Sequence, residues 1–456
     1  MKNLTWQNPE QLFVAQELIN KVKSKCCGIK VHKSRTNNCI KFTLDVEGNL
    51  YDMMQAINNR TYQPKRSICF VVSRPKYREV FAADFADRII HHYIRLRLEP
   101  IIEKEFNDRT FNCRNGKGTL AGVSQLKRDI IECSHHYTKD CYVATVDIHS
   151  FFMSIPKKLV EDLVIQLVNK KYEGEDKEDL IYLCHVVLSH CPENHCIKHS
   201  SDEMWNHLPA SKSLFTNGDG LGMPIGNLPS QMFANYLLNL VDWAIETDCG
   251  IQYHGRYVDD IYLVAETKEQ ILNAIPIIRA RLESLGLKLS PKKFYMQHYS
   301  KGIDFTGAIV KPGRVYPLNR TVTSFRHSID RLNQCKTKSQ IIKALYSVNS
   351  YLGLMRQYDS YAIRYNVLHG IDKRLYKWIY IKGSMEVVAL KRKYHPKSRI
   401  NYRLSHGLNH KLSLPKPIAV FEEREDRIKY IRLLAEYTPV DILPISKLKK
   451  ESKTII

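Results

Sequence analysis

The chain has 456 residues and sets 69 lysines and arginines against 47 acidic side chains, a net charge of +22. That length allows two or three packed units with cores of their own. The hydrophobic share of 44% and charged share of 25% are those of a globular protein and exclude a disordered or fibrous chain. The cationic surplus points to a polyanionic partner, because cations laid on phosphates release counterions.

The start, "MKNLTWQNPEQLF", lacks the charged-then-apolar order of a secretory signal, and no apolar run is long enough to span a bilayer. The expectation is a cytoplasmic chain with no membrane contact and with reduced thiols at its twelve cysteines. Residues from Pro9 to Lys23 carry Leu12, Ala15, Ile19 and Val22 at helical spacing. A strand follows over Ser67 to Ser73. Ile89, Ile90, Tyr93, Ile94 and Leu98 then mark one face of a helix that Pro100 is expected to interrupt or kink.

"CYVATVDIHSFFMSI" opens as a β-rich run, Tyr142 to Val146, that delivers Asp147 at its end. A helix over "LVEDLVIQLVNK" leads into a loop-rich stretch reaching Thr216. This stretch holds Cys184, His185, His190, Cys191, His195, Cys196 and His199. Those residue types bind zinc, but the spacing lacks paired C-x-x-C and H-x-x-x-H, so a helix end and a proline-containing loop are expected instead. "DGLGMPIGNLPSQMFANYLLNLVDWAIE" reads as a glycine-bearing loop and a long helix, with Ser230 near its start.

"QYHGRYVDDIYLVAE" alternates on both sides of Asp259 and Asp260, the pattern of strand, turn, strand. Adjacent carboxylates repel each other, no arginine follows to pair them, and a divalent cation would resolve the conflict. If this hairpin lies beside the Tyr142–Val146 strand, Asp147 and Asp259 face one point. A tetrapeptide of this kind is common by chance; its weight comes from the strand context and the basic chain. A helix over "KEQILNAIPIIRARLESLGL" stops at Gly286. Two short strand-like pieces, "IDFTGAIV" and "RVYPL", follow, and the rest reads as mostly helical and basic. Strands and helices alternate without βαβ order, which predicts an α+β fold.

Taken in order, the segments from about Pro64 to Tyr316 resemble a reverse transcriptase. "YVDD" is similar to the metal-binding hairpin of that family, "VATVDIHSFF" to its first catalytic strand, and "GMPIGNLPSQMFAN" to the loop and helix beneath the template–nucleotide pair. "LGLKLSPKK" and "DFTG" resemble the lysine-bearing segment and the primer grip. The resemblance implies a right-hand polymerase: N-terminal region and fingers over 1–130, palm over 131–318, helical thumb over 319–400 and a basic C-terminal extension over 401–456. It implies an RNA-directed DNA polymerase, a nucleotidyltransferase that extends a 3′-hydroxyl with deoxynucleotides through two Mg²⁺ ions.

The implied catalytic residues are Asp147, Asp259, Asp260 and Lys293, with Lys292 one register step away. The implied metal positions are Asp147, Ile148, Asp259 and Asp260. Lys76, Arg78, Phe152 and Gln231 are the implied nucleotide-binding residues. Phe152 lies where the family places the residue beneath the sugar C2′, with Phe151 beside it the better core residue.

Ser230-Gln231, the segment "CRNGKGTLAGV" and "VNSYLGLMRQYDSYAIR" resemble diversity-generating retroelement and related defence-associated bacterial enzymes. In the last, Tyr351, Leu354, Met355 and Tyr358 are expected to pack the thumb core as one stripe. Expected partners are a noncoding or template RNA, the DNA product and deoxynucleotides, with "FEEREDRIKYIRLLAEY" offering a contact to an accessory protein or a second copy. The alternatives are a defence-type synthase making repeat or homopolymer DNA with protein or RNA priming, and a catalytically silent RNA-binding scaffold.

Overall fold

The computed structural model describes residues 37–73, 76–291 and 293–391. The expected helix over Pro9–Lys23, the closing amphipathic helix and the basic extension over 401–456 lie outside the described residues. The chain divides into two compact units, residues 1–14 with 50–395 and residues 15–49 with 396–456. Of the second unit, the helix Asn37–Leu44 and the start of the helix Val46–Asn58 are described, and Asn49 Nδ2 donates to Phe42 O at 3.2 Å. All that follows belongs to the first unit.

Its strands, in chain order, are β1 (Ser67–Val72), β2 (Arg78–Ala82), β3 (Tyr142–Asp147), β4 (Cys196–Lys198), β5 (Tyr253–Tyr257), β6 (Asp260–Ala265), β7 (Tyr295–His298), β8 (Ile303–Phe305), β9 (Ala308–Lys311), β10 (Arg314–Pro317), β11 (Ile379–Lys382) and β12 (Val387–Leu390). They form four sheets, ordered β5-β6-β3-β7, β2-β1-β4, β10-β9-β8 and β11-β12.

The four-stranded sheet is antiparallel throughout. Its strands alternate, and one face buries Val143, Tyr262 and Val264 against Leu126 and Ile130 of the helix Thr119–Cys133 and against Phe305 and Val310 of β8 and β9. Gly255 stands across from Tyr262 in the ladder, and a Cβ there would lie 2.5 Å from the tyrosine ring, so the close crossing requires glycine. The long helix Leu228–Thr247 packs against the helices Phe85–Ile102, Lys157–Lys171 and Lys268–Ser284. A capping box at Thr267 and Gln270 starts the last of these.

Five sequence expectations change. The helix Phe85–Ile102 continues through Pro100, which falls in its last turn. A helix, Lys177–Ser189, occupies part of the stretch read as loops, and β4 beyond it pairs parallel with β1. "IDFTGAIV" is a hairpin rather than one strand: Thr306 (φ 49°) and Gly307 (φ 92°) form a two-residue turn between Phe305 and Ala308.

The region after Thr321 holds the helices Asn319–Asn333, Lys338–Met355 and Tyr361–Leu368, but also the β11–β12 hairpin. Phe325, Val348, Leu352, Met355, Leu368 and Ile379 share its core. The expected four-residue stripe is not one face. Met355 is buried and Tyr351 packs beside it, but Leu354, about 100° round the helix from Met355, is 39% exposed. Tyr358 lies past the helix end and packs on the cluster under the four-stranded sheet.

Candidate active site

β3 ends on Asp147, whose Cα partner across the ladder is Asp260, the first residue of β6. Asp260 also pairs with Tyr257, so Val258 and Asp259 form the two-residue turn of the β5–β6 hairpin. Val258 has φ 59°, a left-handed conformation that a β-branched residue adopts only when its surroundings force it. Its N–H donates to Asn112 Oδ1 at 3.0 Å, and its carbonyl accepts from the Arg256 guanidinium at 3.2 Å.

Arg256 is fully buried. It donates to both carboxylate oxygens of the equally buried Asp242, at 2.7 and 2.6 Å, and to Asn235 Oδ1 at 2.8 Å. Thr110 Oγ1 donates to Asp242 at 2.7 Å. This polar cluster fixes the turn from beneath, and sequence reading missed it. The available signals were an arginine inside the strand β5 and an aspartate inside "LLNLVDWAI".

Asp147 is buried, and the stretch Lys288–Ser290 closes over it. Ser290 N donates to the Asp147 carbonyl at 2.8 Å, His149 N to the Lys288 carbonyl at 2.8 Å, and Ile148 N to the Asp259 carbonyl at 3.3 Å. The Lys293 ammonium donates to Asp147 Oδ2. Lys292 lies outside the described residues. The Ile148 side chain is buried and alkyl, so its carbonyl is the only oxygen it can offer a cation.

The carboxyl of Asp259 is held above its usual range, by loss of water first and by the Asp147 charge second. Asp260 is pushed up to about 7 by the cleft walls that thin its water, then by the charges of Asp259 and Asp147, although its side chain keeps an exposed surface.

Among the described residues no three His, Cys, Asp or Glu side chains converge as a ready-made metal cluster, at these aspartates or at the Cys184–His199 stretch. The donor chemistry at the hairpin still suits Mg²⁺. It offers hard carboxylate oxygens whose mutual repulsion a divalent cation would relieve, with a monovalent cation, Lys293, already seated on Asp147.

The other expected residues are spread around this centre. Lys76, just before β2, and Arg78, its first residue, are exposed, and neither makes an ion pair with a described residue. Phe151 and Phe152 lie on a helical turn, Phe151–Ser154, rather than on a strand. Phe151 is buried, Phe152 is half-buried, and the rings are 5.3 Å apart. Gln231 accepts from Cys113 Sγ at 3.2 Å and lines a cavity of about 250 Å³ with Arg95, Glu99 and Arg114. Among the described residues no hydrogen bond ties it to the aspartates.

An antiparallel sheet with carboxylates at one hairpin, flanked by helices and smaller sheets, is the α+β architecture of the right-hand polymerases, a class of nucleotidyltransferases. Residues 63–310 match the profile of the reverse transcriptase (RNA-dependent DNA polymerase) family, and the chain belongs to that family. No curated protein matches the chain. Among solved structures it is similar to telomerase from Candida albicans in complex with a fragment of telomeric RNA, at 11% identity and a TM-score of 0.37, covering 68% of this chain. The match spans 60% of that telomerase chain. No described helix is long and apolar enough to cross a membrane.

Proposed function

We propose that this chain extends a primer 3′-hydroxyl with deoxynucleotides by copying RNA. It works with a dedicated noncoding RNA, in a diversity-generating retroelement or an antiphage defence system. The observation that carries the polymerase reading is the register that sets Asp147 opposite Asp260, with Asp259 at the turn between β5 and β6. Residue order around Ser230-Gln231 supports the finer placement.

Asp147 and Asp259, with the Ile148 carbonyl and Asp260, would hold Mg²⁺. When bound, the metal supplies Lewis-acid activation of a hydroxyl and charge neutralisation at the leaving pyrophosphate. The chain's own residues do the rest. The Arg256–Asp242 cluster holds the Asp259 turn rigid, so no reorganisation is needed as charge develops. Lys293 keeps an ammonium at Asp147, where a proton can pass to the departing pyrophosphate. Lys76 and Arg78 supply cations for the triphosphate, Arg78 in a fork suited to two phosphate oxygens. Phe152 offers a ring face at the sugar.

The test is to purify the full chain with RNA from its own locus, add deoxynucleotides and Mg²⁺, and sequence the product. DNA complementary to a defined RNA is the expected result. A homopolymer or simple repeat would instead indicate untemplated synthesis, and absence of any DNA would favour a binding scaffold.

A further inference from the structure

Between the Phe151–Ser154 turn and the long helix Leu228–Thr247 the chain makes a detour whose role the polymerase reading leaves open. Its last part, residues 210–223, is tied down on two sides. On one side stands Glu79 of β2, 1% exposed and adjacent to Arg78. Its carboxylate accepts from Ser213 Oγ at 2.6 Å and from Leu214 N at 2.9 Å. On the other side, Asn217 Nδ2 donates to the Met153 carbonyl at 2.6 Å, Gly222 N to Ile155 O at 2.8 Å and Met223 N to Phe152 O at 2.7 Å. Leu214 completes the seat, buried with Cys69, Phe81 and Met153 in a cluster against which Phe152 packs.

A buried carboxylate is costly to keep unless its bonds hold something in place. Glu79 holds Ser213 and Leu214, and so fixes the backbone directly after Lys212, the last residue of a short 3-10 turn, Ala210–Lys212. Lys212 is exposed and forms no ion pair with a described residue. Its charge is within reach of Asp259 and Asp147 and also of two other cations, Lys293 and Arg78. Thinned water lowers the pKa of its ammonium, and the repulsion from Lys293 and Arg78 adds to this. The Glu79–Ser213 bond brings together the chain neighbours of each, so the exposed Arg78 and Lys212 stand on adjoining stretches. Among the described residues Lys212 and Arg78 form no ion pair, and Lys293 pairs with Asp147. Such an arrangement asks for a mobile polyanion.

We propose that Lys212 is a triphosphate-binding residue, which the Glu79 anchor holds beside Arg78 so that its ammonium meets the phosphate oxygens of the incoming nucleotide. The inference rests on the polymerase reading but names a contact of its own. A lysine acts here as a point charge, so arginine can replace it and glutamine cannot.

Two measurements on the full chain test it, each made on wild type, Lys212→Gln and Lys212→Arg. The first is calorimetric titration with inorganic triphosphate and Mg²⁺. The second is primer extension with deoxynucleotide varied at saturating primer–template, then the reverse. Losing one charge-assisted phosphate contact should weaken triphosphate binding and raise the deoxynucleotide KM about tenfold in Lys212→Gln, with Lys212→Arg within about threefold of wild type. The KM for primer–template should not move.

Ser213→Ala, which removes one bond of the anchor, should shift the same constants the same way by less. Unchanged triphosphate binding in Lys212→Gln overturns the proposal. So does an effect confined to primer–template KM, which would place the lysine on the nucleic-acid backbone. Wild type that binds triphosphate but makes no DNA defeats the polymerase reading alone, and the titration then decides Lys212. Wild type that binds no triphosphate defeats the inference.

Discussion

Arg256 has partners on two other stretches of chain, Thr110 and the helix residues Asn235 and Asp242, and bonds also to Val258 within its own hairpin. Arg256→Met would leave Asp242 buried without its cation, which should cost about 3–5 kcal/mol and lower the melting temperature. Adding Asp242→Leu should recover part of that loss while synthesis stays impaired, because Val258 would still lack its guanidinium. A single Arg256→Met as stable as wild type would contradict the role. Phe152→Ala should raise ribonucleotide incorporation relative to deoxynucleotide in competitive primer extension; an unchanged ratio would remove Phe152 from sugar selection. Asp147, Asp259 and Asp260 were legible in the sequence because local alternation places them at a strand end and a turn. Arg256 and Glu79 were not, because what defines them is a partner more than ten positions away. An arginine in a β-run looks the same whether it faces water or a buried carboxylate.

At the scale of elements, strong periodicity was read well. The long helix from Leu228, the helix from Lys268 and the β5–β6 hairpin all lie where the pattern places them. Short elements were lost, for two different reasons. β4 has three residues and exists through β1, and β11–β12 sits next to a basic run whose composition dominates the reading. Two buried histidines give these elements a pH dependence. His254 of β5, whose Nε2 has no hydrogen-bond partner, is lowered to about 4, and His91 of the helix Phe85–Ile102 to about 3, both mainly by loss of water. The folded state therefore binds fewer protons than the unfolded one. Stability is full above the unfolded value near 6.5 and falls as pH drops toward 4. His254 alone should cost roughly 2 kcal/mol by about pH 5. Melting curves at neutral and acid pH should show the loss, and His254→Phe should show less of it; equal slopes would mean that acid destabilisation arises elsewhere.

For the whole molecule, the net charge of +22 belongs with the proposed RNA partner. If the chain neutralises about six phosphates, its affinity for that RNA should fall roughly 10³-fold between about 50 and 200 mM salt. Affinity indifferent to salt, measured by filter binding, would rule out a phosphate-dominated surface.

The most direct measurement compares wild type with Asp259→Ala in primer extension on an RNA template with Mg²⁺, with circular dichroism and melting temperature recorded for both. The turn is held by Arg256 and Asn112 rather than by the Asp259 carboxylate, so the variant should fold and melt like wild type. It should also make no DNA. A folded Asp259→Ala that extends the primer at the wild-type rate would contradict the assignment of the hairpin as the catalytic centre.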